Sequence, residues 1–154
     1  MLIQELTRAA SLDLLTRTHL GRLACTQGAQ PYIVPIYFAY DANYIYSFST
    51  LGQKVEWMRA NPHVCVETDE VVNSEDWRSV VVLGLYEELP DTPEWHSAQA
   101  FAHKLLHEKA MWWEPGFAKT ILHAAERALV PVFYRILVVE ITGHCATPER
   151  GPAV

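Results

Sequence analysis

The chain has 154 residues, half of them hydrophobic and 19% charged, with a formal net charge of −6. That balance suits a folded, soluble domain with a real core, and without any Lys/Arg-rich run a nucleic-acid partner is not expected. No apolar stretch approaches the roughly 18 residues that span a bilayer, and Gln4, Glu5 and Asp13 make the N-terminus unlike a signal peptide, so no membrane association and a cytoplasmic location are expected.

Along the chain, "SLDLLTRT" from Ser11 predicts a short helix capped by Ser11, with Leu12, Leu15 and then Leu20 inward. "HLGRLACTQ" predicts a strand stopped at Gly28. "PYIVPIYFAY" (31–40) is apolar on both faces and predicts a strand packed from both sides. "DAN" at 41–43 supplies turn chemistry before "YIYSFS", so these two strands form an antiparallel hairpin. From Gly52 the period becomes helical through Val55, Trp57 and Met58, until Asn61-Pro62 ends it. "HVCVET" and "WRSVVVLGLYEEL" are two further strands around the acidic loop "DEVVNSED". A longer helix is expected from Thr92, with Thr92 as N-cap, Pro93 at N1, and Trp95, Ala98, Phe101, Ala102 and Leu105 on its apolar face. "MWWEPGF" breaks it, "AKTILHAAERAL" suggests another helix, and "VFYRILVVEIT" is a last strand. Short connections make the sheet mainly antiparallel, and six strands avoid open edges best by closing into a small barrel. One domain is expected, with a core over about 12–145 and a frayed tail at 146–154.

Several chemistries find little support. Cys25, Cys65 and Cys145 are odd in number, far apart and without a C-x-x-C pair, which reads as reduced thiols. There is no G-x-S-x-G and no Cys with a recognisable His partner. His103 and His107 share a helix face at i, i+4, but they lack the glutamate of H-E-x-x-H and a third ligand, so no metal site is expected. Trp95, Trp112 and Trp113 read as core or interface residues, whereas Trp77 opens a strand beside Arg78 and Ser79 after a polar loop.

The stretch "SFSTLGQKVEWM" (47–58) carries the most chemistry. Ser47, Ser49 and Thr50 end a strand, Gly52 permits close backbone approach or a positive φ, and the next helix offers free N–H groups and a positive dipole end. Lys54 falls in the first turn, where a cation opposes the dipole unless an anion sits nearby. Hydroxyl capping with a surface lysine makes the same pattern, so an ordinary turn and a phosphate cradle both fit.

The run from "GRLACTQ" through the proline-centred "PYIVPIYFAY", the strand-end hydroxyls before Lys54, "NPHVCVE", "WRSVVVLG" and finally "RILVVEITGH" resembles the flavin-binding split barrels related to pyridoxamine 5'-phosphate oxidase. Within them it is most similar to the group containing nitroimidazole-resistance proteins. The resemblance covers residues 12–145. It implies a mainly β fold with flanking helices, a six-stranded antiparallel split β-barrel, assembled as a homodimer with one FMN in each of two interface clefts. By matching position, Ser49, Thr50, Gln53 and Lys54 would hold the FMN phosphate. Val34, Pro35, Ile36 and Tyr37 would run along the isoalloxazine, and Ser47 and Phe48 would lie under the ring or ribityl chain. Trp77, Arg78 and Ser79 would line the same cleft, from this chain or its partner. Phe48 stands where relatives carry a histidine, which argues against a covalent adduct or haem ligation there. The arginine-rich phosphate site of true pyridoxamine phosphate oxidases is missing, so B6 oxidation is not expected. The resemblance thus implies an FMN-dependent oxidoreductase acting on a small molecule. A deazaflavin-dependent reductase and a non-catalytic flavin or haem carrier are the alternatives.

Overall fold

Buried and open positions alternate along β2 (Leu20–Gln27) and β6 (His63–Asn73), with Leu23, Cys25, Val64 and Val66 turned inward. This period of two is the signature of strands with one face on a core. A computed structural model describes residues 1–109, 119–122, 125–128 and 130–148. The same alternation sets β7 (Asp76–Glu88) and β10 (Pro131–Thr147), which contribute Val80, Val82, Tyr134, Ile136 and Val138 to the interior. These strands form one antiparallel sheet in the order β3 (Gln30–Tyr37), β2, β6, β7, β10, β5 (Tyr44–Thr50), β4 (Ala39–Asp41). β1 (Leu2–Glu5) adds to the far end of β10, so the sheet has eight strands where six were expected.

The two additional strands have physical causes. The apolar run at 31–40 breaks at Phe38, whose N–H donates to the His19 carbonyl (2.9 Å). Residues 39–41 then form β4, folded back on β5 through Ala42 and Asn43, both with positive φ (44° and 74°). A two-residue turn with positive φ at both positions matches the strand twist. β1 forms because Leu6 N–H closes onto the Gly143 carbonyl (2.8 Å) and continues the ladder. β3 is less covered than predicted, since its outer face is open and Ile33 is 64% exposed. β3 and β4 are the two ends of the sheet yet consecutive in the chain, so the sheet curls until its ends meet without a common ladder.

Among the described residues three helices close the interior. α1 (Arg8–Arg17) starts earlier than predicted and is capped by Thr7, whose hydroxyl accepts from Ala10 N–H (3.2 Å). Ser11 lies inside it, buried against Gly143, and Leu14 and Leu15 enter the core. Leu12 is only half-buried and Leu20 is exposed. α2 (Gln53–Ala60) buries Val55 and Met58, as their spacing predicts, and ends at Asn61. α3 (His96–Lys109) begins later than Thr92, because residues 92–95 form a turn closed by Trp95 N–H on the Thr92 carbonyl (3.0 Å). Its Ala102, Leu105 and Leu106 cover the outer side of β4 and β5 in a second cluster with Tyr46, Leu89 and Phe133.

Two further expectations change. The acidic stretch 69–76 is mostly strand, because β-branched Val71 and Val72 extend β6 and Val71 pairs with Trp77. Only an Asx turn remains, with Glu75 N–H on Asn73 Oδ1 (2.8 Å). The helix expected at 118–129 is instead a hairpin of β8 (Lys119–Leu122) and β9 (Ala125–Ala128), in which Leu122 pairs with Ala125 across two residues. Helix propensity is a weak prior there, overridden by the closed ladder. Of the tail expected to fray at 146–154, Ala146 and Thr147 instead end β10, paired with Ile3 and Leu2 of β1; Trp112, Trp113, the predicted break at 111–117 and the tail from 149 lie outside the described residues.

Gly84 shows how tightly the central strands meet. A Cβ there would stand 2.4 Å from Ile136 Cγ2 and 2.6 Å from the Leu137 carbonyl oxygen. Gly84→Ala is expected to destabilise by about 1–3 kcal/mol, the usual range for overpacking, and a thermal melt should show Tm lowered by several degrees.

Candidate functional site

A cavity of about 280 Å³ opens where the sheet's ends fail to join, lined by Pro35, Ile36 and Tyr37 of β3, Phe48, Ser49 and Thr50 of β5, and Lys54 of α2. Each of these is among the residues predicted to hold a cofactor, and the fold brings them to one place. The alternation of antiparallel backbone decides what β3 offers the cavity. Phe38 N–H bonds to the carbonyl of His19, the residue before β2, so the peptide groups of Tyr37 turn the other way, toward the split. Pro35 has no N–H to leave unpaired on that edge.

α2 carries Lys54 to the cavity on a firm footing. Val55 and Met58 are wholly buried, which stabilises the helix's seat by about 3–6 kcal/mol in apolar burial. Trp57 packs edge-on against Tyr32 at 5.6 Å. At the other end Arg59 Nε and Nη2 donate to the two Glu88 oxygens at 2.7 Å each, and Tyr86 Oη donates to Glu88 at 3.1 Å. The Arg59 hydrogen bonds hold the Glu88 carboxyl below its ordinary value of 4.5. A depressed carboxyl contributes stability above 4.5 that is lost as pH falls through the folded value. Arg59→Met is expected to cost about 0.5–1 kcal/mol at neutral pH. Paired melts should show that gap closing in acid.

The first turn of α2 is prepared for an anion. Its N-cap is Gly52, with no side-chain cap, so the leading N–H groups stay open. Gly52 has φ 171°, ordinary extended backbone rather than the left-handed region considered from sequence, and nothing lies within 4 Å of where its Cβ would be. Lys54 is half-buried and makes no ion pair with a carboxylate among the described residues. Burial pushes its ammonium below 10.5, and only the nearby Cys25 thiol opposes that shift. Burial likewise raises Cys25 above 9.0, while the Lys54 charge pulls it down. A desolvated ammonium beside open N–H groups fits a phosphate.

Not every predicted site residue arrives there. Gln53 is exposed at the start of α2, and Val34 packs half-buried against the core. Ser47 is fully buried and turned away from the cavity, with its hydroxyl donating to the Tyr37 carbonyl (2.8 Å). Ser49 Oγ donates to the Thr50 carbonyl (3.1 Å) rather than capping the helix. Trp77 and Arg78 line a separate cleft of about 340 Å³ with Asp13, Arg17, Glu70, Val72 and Asp76. Ser79 sits beyond them on β7, opposite Asp69 and His144. None of these three lines the cavity around Lys54 within one chain.

Sequence reasoning did not single out the outward face of the sheet. Side chains opposite one another on β3, β2, β6 and β7 form an apolar row of Ile33, Ala24, Cys65 and Leu83, continued by Val139 on β10. A depression of about 500 Å³ lies along it. Arg22, ion-paired with Asp69 and with Glu67 (3.3 Å), flanks the row. The signal was present in the outward-phase residues of "LACT", "VCVE" and "VVLGL". Among the described residues no group of three His, Cys, Asp or Glu is placed to hold a metal ion, and His103 packs against Phe133. No helix among them is long and apolar enough to cross a membrane.

A curling antiparallel sheet with a cationic cleft at its split defines a class of small barrels. Residues 7–145 match the pyridoxamine 5'-phosphate oxidase family model, and the chain belongs to that family. It is 39% identical over 146 residues to an uncharacterised protein of Rhizobium meliloti (strain 1021), covering 95% of this chain and 97% of that one. The crystal structure of a FAD-binding protein from Mesorhizobium loti superposes with a TM-score of 0.78 at 41% identity, covering 96% of this chain and all of the other. A Bacteroides thetaiotaomicron protein named for 5-nitroimidazole antibiotic resistance shares the fold, with a TM-score of 0.67 at 16% identity over 94% of this chain and 89% of that one. The split-barrel class and the family expected from the residues are thus both met.

Proposed function

We propose that the chain binds a flavin nucleotide in the split between β3 and β5 and works as a flavin-dependent oxidoreductase on a small molecule. The observation that carries this is Lys54, an ammonium desolvated beside an uncapped helix N-terminus with no carboxylate to neutralise it among the described residues. Lys54, Ser49 and Thr50 hold the phosphate, and Gln53 reaches it from the first turn. Pro35 to Tyr37 run along the ring, with Val34 and Ile36 bracing the strand from the core and Phe48 against the ring or ribityl chain. The flavin supplies the electron transfer when bound, and the protein orients it and controls access. No acid or base is assigned, since none of the residues lining the cavity is a carboxylate or histidine.

FMN is the simplest occupant, because one phosphate satisfies one cradle. FAD is the second reading, supported by the 41% identity to a protein named as FAD-binding. A 280 Å³ cavity is at the lower end of ligand pockets and too small to enclose a whole flavin. The cleft is completed by a second copy docked on the apolar outward row, which brings Trp77, Arg78 and Ser79 from the partner. Purified protein is expected to show the two-banded visible absorption of an oxidised flavin, bleached by a reductant. Heat release followed by mass measurement distinguishes FMN from FAD. A colourless protein that takes up neither nucleotide overturns the proposal, and a single deazaflavin-like band replaces it with a deazaflavin reductase.

A further inference from the structure

The geometry points to Ser47 as a positioning residue that holds the cleft at its working width, an inference that rests on the flavin-binding proposal. β3 and β5 diverge at this place without a ladder, and the cavity fills the gap between them. Behind the cavity the Ser47 hydroxyl ties the two strands together, donating to the Tyr37 carbonyl at 2.8 Å from a fully buried position. Tyr37 is the β3 residue whose peptide groups face the split. Taking up its carbonyl leaves its N–H as the donor directed toward an occupant. The bond therefore sets both the spacing of the two walls and the polarity that β3 presents.

Packing alone does not explain a hydroxyl here. Ser47 lies in phase with Ile45, which enters the apolar interior. Beside it on β10 is Tyr134, whose buried Oη faces the Ser47 hydroxyl. Burial pushes that phenol up to about 12, so it stays a neutral donor. A buried polar pair costs stability relative to apolar side chains of the same size; the Ser47 hydroxyl offsets that cost by meeting the Tyr134 phenol and by donating to the Tyr37 carbonyl, and only the second of these bonds ties β5 to β3.

The test compares Ser47→Thr, which keeps the donor, with Ser47→Val, which has the same shape without it, and measures FMN affinity together with the bound flavin's visible absorption and fluorescence. The threonine variant should match wild type. The valine variant should bind FMN about three- to tenfold more weakly, the effect of one neutral hydrogen bond, with a broadened visible band and brighter fluorescence. Equal affinity and spectra in the two variants, with wild type binding normally, overturn the positioning role alone. Wild-type protein that takes up no flavin overturns the flavin proposal and this inference with it.

Discussion

Lys54→Met is expected to weaken flavin binding by about ten- to 150-fold, the equivalent of losing one hydrogen bond to a charged group, and at the same time to raise the melting temperature of flavin-free protein. Both effects have one cause. The ammonium is half-buried without a carboxylate partner among the described residues, so its charge destabilises the folded chain unless a phosphate is bound. Methionine fills similar space without the charge. The pH dependence separates this explanation from a packing effect. Burial holds the folded-state value below 10.5, so the unfolded chain binds the proton more tightly between the two values. The penalty is complete below the folded value and relieved as pH rises toward 10.5. The stability gap between Lys54→Met and wild type should therefore be widest at neutral pH and narrow in alkali. Melts of flavin-free protein at several pH values, with a flavin titration at neutral pH, check both halves. A variant that is less stable than wild type and binds flavin equally well removes Lys54 from the site.

The same stretch shows what was legible in the sequence. Val55 and Met58 announce α2 by spacing, Asn61-Pro62 ends it, and Ala42-Asn43 makes the hairpin turn, because each rests on local geometry. The meeting of Lys54 with Pro35 and Tyr37 is not readable from spacing. It depends on β3 and β5 being neighbours across an unpaired gap, a property of the curled sheet. Matching position puts Ser47 in the cleft, although its phase with Ile45 turns it inward. Strand β5 is covered on both faces, by the interior and by α3, so its burial pattern loses the alternation that would have shown this. Thr92 has good capping chemistry, but its turn closes on Trp95 before α3 begins at His96. Trp77 and Arg78 illustrate a different limit, since a sequence places residues in order and cannot say which copy of the chain supplies a wall.

That limit is tested most directly by Leu83→Asp. Leu83 is 47% exposed within the outward row, opposite Cys65 on one side and Glu140 on the other. In the proposed dimer a carboxylate buried in that interface is left unpaired twice over, once from each copy, at several kcal/mol. Self-association is expected to weaken by roughly two to three powers of ten, giving a monomer in a size measurement at micromolar concentration. Phe101→Ser, on the exposed side of α3 and 42% exposed, should leave assembly unchanged. The variant also discriminates between two designs for the site. If one chain holds the flavin by itself, the Leu83→Asp monomer binds it as wild type does, because the residue is far along the sheet from Lys54. If the partner supplies Trp77, Arg78 and Ser79, flavin affinity falls with the dimer, and wild-type affinity becomes dependent on protein concentration by mass action. The second outcome is expected, because Trp77 and Arg78 line a cleft apart from Lys54 within one chain and the cavity around Lys54 is too small to enclose the ring.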